Sequence, residues 1–143
     1  MSLSQIIGYQ LTRANLVALA AFERDITKSF DLRPVEYTIL QLVREGQYTT
    51  PSQLAKELSI TPPSMSVWLD KLTARQLLTR SKSATDGRAS QVQLTASGNK
   101  LIKQAHDTLI KSEQRMLGHL SVGERAMLQE ILQKLSQLST LPA

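Results

Sequence analysis

TPSQLAKELSITPPSMSVWLDKL, residues 50–72, contains two helix starts in close succession. Thr50 is a cap, Pro51 at the first helical position needs no amide partner, and Gln53 completes a capping box. That helix runs to about Leu58. After the break Ser59-Ile60-Thr61, Thr61 caps and Pro62 opens a second helix. Leu54, Leu58, Ile60, Met65 and Leu72 are spaced to fill the joint between the two, with small Ala55 where they approach closely. Thr61, Pro63, Ser64, Ser66 and Lys71 are left near the start and on the outward face of the second helix. Short hydroxyls beside a cation let a helix lie close to phosphates and base edges, as a DNA-reading helix-turn-helix requires. The same apolar spacing also serves a plain helical hairpin with a solvated face.

Downstream, Leu77–Ser81 and Ser90–Leu94 alternate in part and flank a polar stretch with the turn dipeptide Asp86-Gly87. They read as a β-hairpin. Arg80, Lys82 and Arg88 put cations along it, and Asp86 stands two residues from Arg88, close enough to hold its guanidinium in one pose. A wing reaching the DNA backbone or minor groove needs such charges. An ordinary tight turn with a solvated arginine fits the same residues.

Upstream, Ile7, Leu11, Ala14, Val17, Ala18, Ala21, Phe22 and Ile26 recur at three- and four-residue steps, predicting one long amphipathic helix over 4–30. Asp31-Leu32-Arg33-Pro34 ends it, and Pro34 opens a further helix up to Gly46. Beyond the hairpin, Thr95 caps a helix extending toward Leu120, and Ser121-Val122-Gly123-Glu124 is a capping box that starts the last one. Leu128, Ile131, Leu132, Leu135 and Leu138 form an apolar stripe there that needs a partner surface.

The 143 residues suit one domain, with 41% hydrophobic and 20% charged side chains, as in a globular chain. A net charge of +5 favours a polyanionic partner, though solubility alone accounts for such a surplus equally well. The absence of cysteine excludes disulfides, zinc–thiolate sites and thiol-based peroxide sensing. With no secretion signal and no membrane-length apolar run, a cytoplasmic location is expected. His106 and His119 lack the short spacing of a helical metal site and are expected to be surface or interface residues. The chain carries no phosphate-binding glycine loop and no nucleophile elbow. No metal, no cofactor and no enzyme activity are expected.

The order of these elements resembles the MarR family of bacterial regulators over nearly the whole chain. Asp86-Gly87-Arg88 followed by Val92-Gln93-Leu94-Thr95 and Gly98 is similar to the family's wing running into the next helix. Leu69-Asp70-Lys71-Leu72 and Leu32 to Leu40 also resemble family segments. The resemblance implies a mainly α fold with a small β-hairpin wing: a winged helix-turn-helix at about 32–95, flanked by dimerisation helices at about 4–30 and 96–139. It implies a DNA-binding set of Thr61, Pro63, Ser64, Ser66, Lys71, Arg80, Lys82, Asp86 and Arg88, with Arg88 in the minor groove and Asp86 positioning it. Two residues depart from the family: Val67 stands where many members place an arginine, and Gln76 replaces a common glycine before the hairpin.

The expected function is sequence-specific binding of double-stranded DNA at a pseudo-palindromic operator by a homodimer, with repression as its outcome. Many relatives release DNA on binding a small aromatic or anionic effector between the dimer region and the DNA-binding lobe. Arg13 and Tyr37 are candidates to face that cleft, and each has a simpler reading, Arg13 as a surface ion-pair residue and Tyr37 as core. The alternative function is a winged-helix module that binds another protein through the same surface.

Overall fold

The computed structural model describes residues 1–82 and 90–137. α1 (Ile7–Phe22) follows a short 3₁₀ turn at Leu3–Gln5, from which the extended Ile6 separates it. After Phe22 the helix widens into a π turn at Glu23–Thr27 before the last turn, α2 (Lys28–Phe30). The long helix expected over 4–30 is thus interrupted twice. The π turn brings the Asp25 carboxylate against a helix far along the chain, where it accepts a hydrogen bond from Ser112. π turns arise where one extra residue is accommodated in a helix.

Asp31 adopts a left-handed conformation (φ 52°) and reverses the chain. α3 (Pro34–Glu45) then opens on Pro34 and closes on Gly46, whose amide still donates to the carbonyls of Leu42 and Val43 while its left-handed φ of 81° turns the chain out of the helix. Ile39 and Leu40 on α3 are fully buried among Ile26, Leu32, Leu54 and Met65. α4 (Pro51–Glu57) and α5 (Pro62–Ala74) pack against each other on this core, with Leu54, Ala55, Met65, Leu69 and Leu72 buried between.

β1 (Leu78–Lys82) and β2 (Ser90–Leu94) form a two-stranded antiparallel sheet in which Leu78 faces Leu94 and Lys82 faces Ser90. Leu77 and Leu78, with Val92 from β2, are buried and anchor the hairpin on the core. The Val92 amide donates to the Thr49 carbonyl at 2.7 Å, which ties the hairpin to the residues just before α4.

α6 (Ala96–Met116) packs back on α1 and α3 through Ile102 and Ala105. It ends at Met116, short of the expected Leu120, in a turn over Leu117–Leu120. α7 (Val122–Ser136) starts on the predicted capping box, with the Ser121 hydroxyl accepting from the Glu124 amide at 3.1 Å. None of its residues is buried, and Met127, Leu128, Ile131, Leu132 and Leu135 lie exposed along it. Ile7, Leu11, Leu16, Val17 and Leu19 on α1 are exposed as well. Leu138, the last residue of the predicted stripe, lies outside the described residues. Among the described residues, no helix is long and apolar enough to cross a membrane.

Candidate DNA interface

The turn between α4 and α5 sets the geometry of the surface. Ser59 takes a left-handed φ of 51°, and the Ile60 amide reaches back to the Ala55 carbonyl at 3.0 Å. The next residue, Thr61, caps α5 by accepting from the Ser64 amide at 3.3 Å. That bond uses one oxygen lone pair, so the Thr61 hydroxyl keeps its proton for an outside acceptor such as a phosphate.

Met65, Leu69 and Leu72 point inward, which leaves Pro63, Ser64, Val67, Asp70 and Lys71 exposed. Ser66 is half-buried at the edge of this face. The Lys71 ammonium lies 5.0 Å from the centre of the Trp68 ring, a cation–π contact that holds the charge close to the helix.

Arg80 stands on β1 opposite Val92, and its guanidinium meets the Asp70 carboxylate of α5 at 3.2 Å. The hairpin and α5 are therefore joined by an ion pair on the exposed side. Lys82 ends β1 opposite Ser90. Asp86 and Arg88, with the Asp86-Gly87 turn, lie outside the described residues.

Two residues that the sequence did not single out, Arg75 and Glu36, help to hold this surface in place. Arg75, just past the end of α5, bonds buried Glu36 of α3 at 3.2 Å and approaches Asp31 at 3.8 Å. Glu36 also accepts from the Arg33 amide at 3.0 Å. Gln76 follows with φ 61°, so the position where a glycine is common is indeed a left-handed one. Its carbonyl accepts from the Thr95 hydroxyl at 2.7 Å, while the same oxygen caps α6 at the Gly98 amide at 2.9 Å. A Cβ on Gly98 would fall on the Leu77 carbonyl, well inside contact distance, so the start of α6 and the base of the hairpin meet backbone to backbone.

A second feature lies on the far side of the core. A cavity of about 170 Å³ opens between α1, the start of α3 and α6, walled by Ala18, Leu19, Phe22, Leu109 and Met116, with Ser112 and Glu113 at its polar side. Ser112 donates to Asp25, which also holds a two-point ion pair with Arg24 at 3.0 Å and meets Arg115 at 3.4 Å. Hydrogen bonding from Arg24, then from Ser112, keeps the Asp25 carboxyl well below the usual carboxylate range.

Tyr37 is buried edge-on against Phe22, and its hydroxyl lies 2.6 Å from Nδ1 of His106. Burial, and then Glu45 and Glu113 nearby, push its phenol up to about 12, so the hydroxyl keeps its proton. His106 is therefore the half-buried partner of a core tyrosine rather than a free surface residue. Arg13 lies 6.0 Å from the Tyr9 ring on the exposed side of α1. Neither Tyr37 nor Arg13 lines the cavity.

Residues 32–90 match the profile of the MarR family. Over this stretch the chain is similar to the MarR family, and its fold is a winged helix. The MarR match takes in α3, α4, α5 and β1, the elements that hold Thr61, Ser64, Lys71 and Arg80. The likeness extends beyond that region. An HTH-type transcriptional repressor of Mycobacterium bovis is 26% identical over 129 residues, covering 90% of this chain and 92% of that protein. The structure of Bordetella bronchiseptica BpsR, whose DNA binding is regulated by 6-hydroxynicotinic acid, superposes with a TM-score of 0.86 at 26% identity over 95% of this chain and 96% of its own. The repressor CouR, bound to a 23-mer DNA duplex, superposes with a TM-score of 0.87 at 27% identity over 94% of each chain. The Mycobacterium bovis relative and CouR are transcriptional repressors, and the likeness to BpsR and CouR takes in the helices on either side of the winged helix.

Proposed function

We propose that this protein is a homodimeric transcriptional regulator that binds double-stranded DNA in a sequence-specific way and acts as a repressor in the cytoplasm, by binding rather than by catalysis. The observation that carries this reading is the outward side of α5. Thr61, Ser64 and Lys71 stand exposed on a capped helix beside a cation-bearing hairpin. Recognition through the major groove needs that pairing of a narrow polar helix with flanking phosphate contacts.

In this reading Thr61, Ser64, Lys71, Arg80, Lys82 and Arg88 contact phosphates, Pro63 and Ser66 lie near base edges, and Asp86 orients Arg88. The placement of Arg80 supports a divided role, since Asp70 already holds its guanidinium and so fixes the hairpin against α5. Residues 32–95 form the DNA-reading unit, and the helices on either side form the dimer. The exposed apolar faces of α1 and α7 support a two-fold assembly. Two recognition helices then enter successive major grooves about 34 Å apart.

The cavity between α1, α3 and α6 is the proposed effector site. Its volume of about 170 Å³ and mostly apolar walls suit a single aromatic ring. Selecting the protein's preferred sequence from a pool of random duplexes tests the proposal. The expected product is a pseudo-palindrome with half-site centres about 10 base pairs apart, bound by one dimer. A pool that stays random after selection, with a protein partner captured through α5 instead, would favour the protein-binding alternative.

A further inference from the structure

The middle of the recognition surface is apolar. Val67 lies two residues from each of the fully buried Met65 and Leu69, which sets it roughly 180° round α5 from the core-facing direction. It is 53% exposed, with Ser64 and Lys71 one turn away on either side and the exposed Pro63 ring one turn before it. An isolated exposed valine is unremarkable on most helices. Here it occupies the centre of the face that the proposed DNA-binding reading presents to the major groove, where the neighbouring outward residues are mainly short hydroxyls and charges.

A valine can neither donate nor accept a hydrogen bond, so it cannot read the amino, carbonyl or ring-nitrogen edges of a base pair. The major groove offers one apolar group, the 5-methyl of thymine. The side chain is also short and stiff at χ1, so it holds its two methyl groups in one place. We infer that Val67 reads a thymine methyl group in each operator half-site, with Pro63 walling the contact on one side. This rests on the DNA-binding reading and adds which base feature α5 selects.

The test uses the duplex obtained by selection with the intact dimer. Each thymine is replaced in turn, symmetrically in both half-sites, by uracil, which deletes only the methyl group. For the unaltered protein, one of these positions should weaken binding by about four-fold per half-site, the effect of exposing one methyl-sized group. Val67→Ala should bind the thymine and uracil duplexes equally at that position, and Val67→Ile should keep the discrimination. Since Val67 is exposed and alanine is the better helix former, neither variant should unfold at a lower urea concentration than the parent. An enriched operator whose affinity is indifferent to uracil at every position, or an unchanged uracil penalty in Val67→Ala, would overturn the assignment while leaving DNA binding intact. Failure to enrich any sequence would overturn the DNA-binding reading and the role of Val67 together.

Discussion

Gln76 occupies a backbone conformation that costs an L-residue about 1 kcal/mol relative to glycine, and it does so at the joint between α5 and the hairpin. Its main-chain groups are committed there, the amide to the Thr73 carbonyl and the carbonyl to the Thr95 hydroxyl. Gln76→Gly should relieve the strain and raise stability by at most about 0.5 kcal/mol after the greater freedom of glycine in the unfolded chain is counted. The urea midpoint checks this, and DNA affinity should not change. Asp25 behaves differently. Its carboxyl titrates lower in the folded chain than its ordinary value of 3.8, so its contribution to stability is complete above that pH and disappears as pH falls through the folded value. Asp25→Asn should lower the urea midpoint at pH 7 and flatten its decline below about pH 4. Parallel declines for variant and parent would show that Asp25 carries none of the acid sensitivity. The left-handed position at Gln76 was visible in the sequence only as a departure from a common glycine. The environment of Asp25 was not visible, because Ser112 and Arg115 reach it from the other end of the chain.

Helix starts were the most legible elements, since capping is local chemistry. Thr50, Thr61, Thr95 and Ser121 each accept the amide bond that the sequence predicts. The hairpin was legible to within a residue: β1 begins at Leu78 rather than Leu77, whose amide and carbonyl serve Leu72 and Thr95 instead. What stayed hidden were the links between elements. Arg75–Glu36 and Arg80–Asp70 depend on the packed arrangement of α3, α5 and β1, and any of several charges could have formed them on sequence grounds alone. The second link makes a prediction about DNA. Asp70 puts a carboxylate on the face that the proposal turns toward phosphates, and it pairs with Arg80. Asp70→Asn should free that cation, tighten binding to random duplex and steepen the dependence of log affinity on log salt by about one ion. Weaker binding to random and operator DNA alike would mean that the ion pair serves chiefly to aim the hairpin.

In the whole molecule, the proposed recognition face lies on α5 and the exposed apolar faces that the proposal assigns to the dimer lie on α1 and α7, while the cavity opens between α1, α3 and α6. Helix α1 joins the last two, since Leu16, Val17 and Leu19 are exposed on it while Ala18, Leu19 and Phe22 wall the cavity. In the proposed dimer, a ligand there would touch the same helix that meets the partner subunit, which gives it a route to alter the spacing of two recognition helices. The apolar stripes of α1 and α7 were legible in the sequence, and they lie exposed among the described residues. The cavity was not, because its walls come from three helices separated in sequence. All of this depends on specific binding to DNA. The most direct measurement is an affinity titration on duplexes from upstream of the protein's own gene, repeated at several salt concentrations with random DNA as competitor. The account predicts tight binding by a dimer that survives competitor and falls steeply as salt rises. Affinity no greater than for random duplex would contradict it.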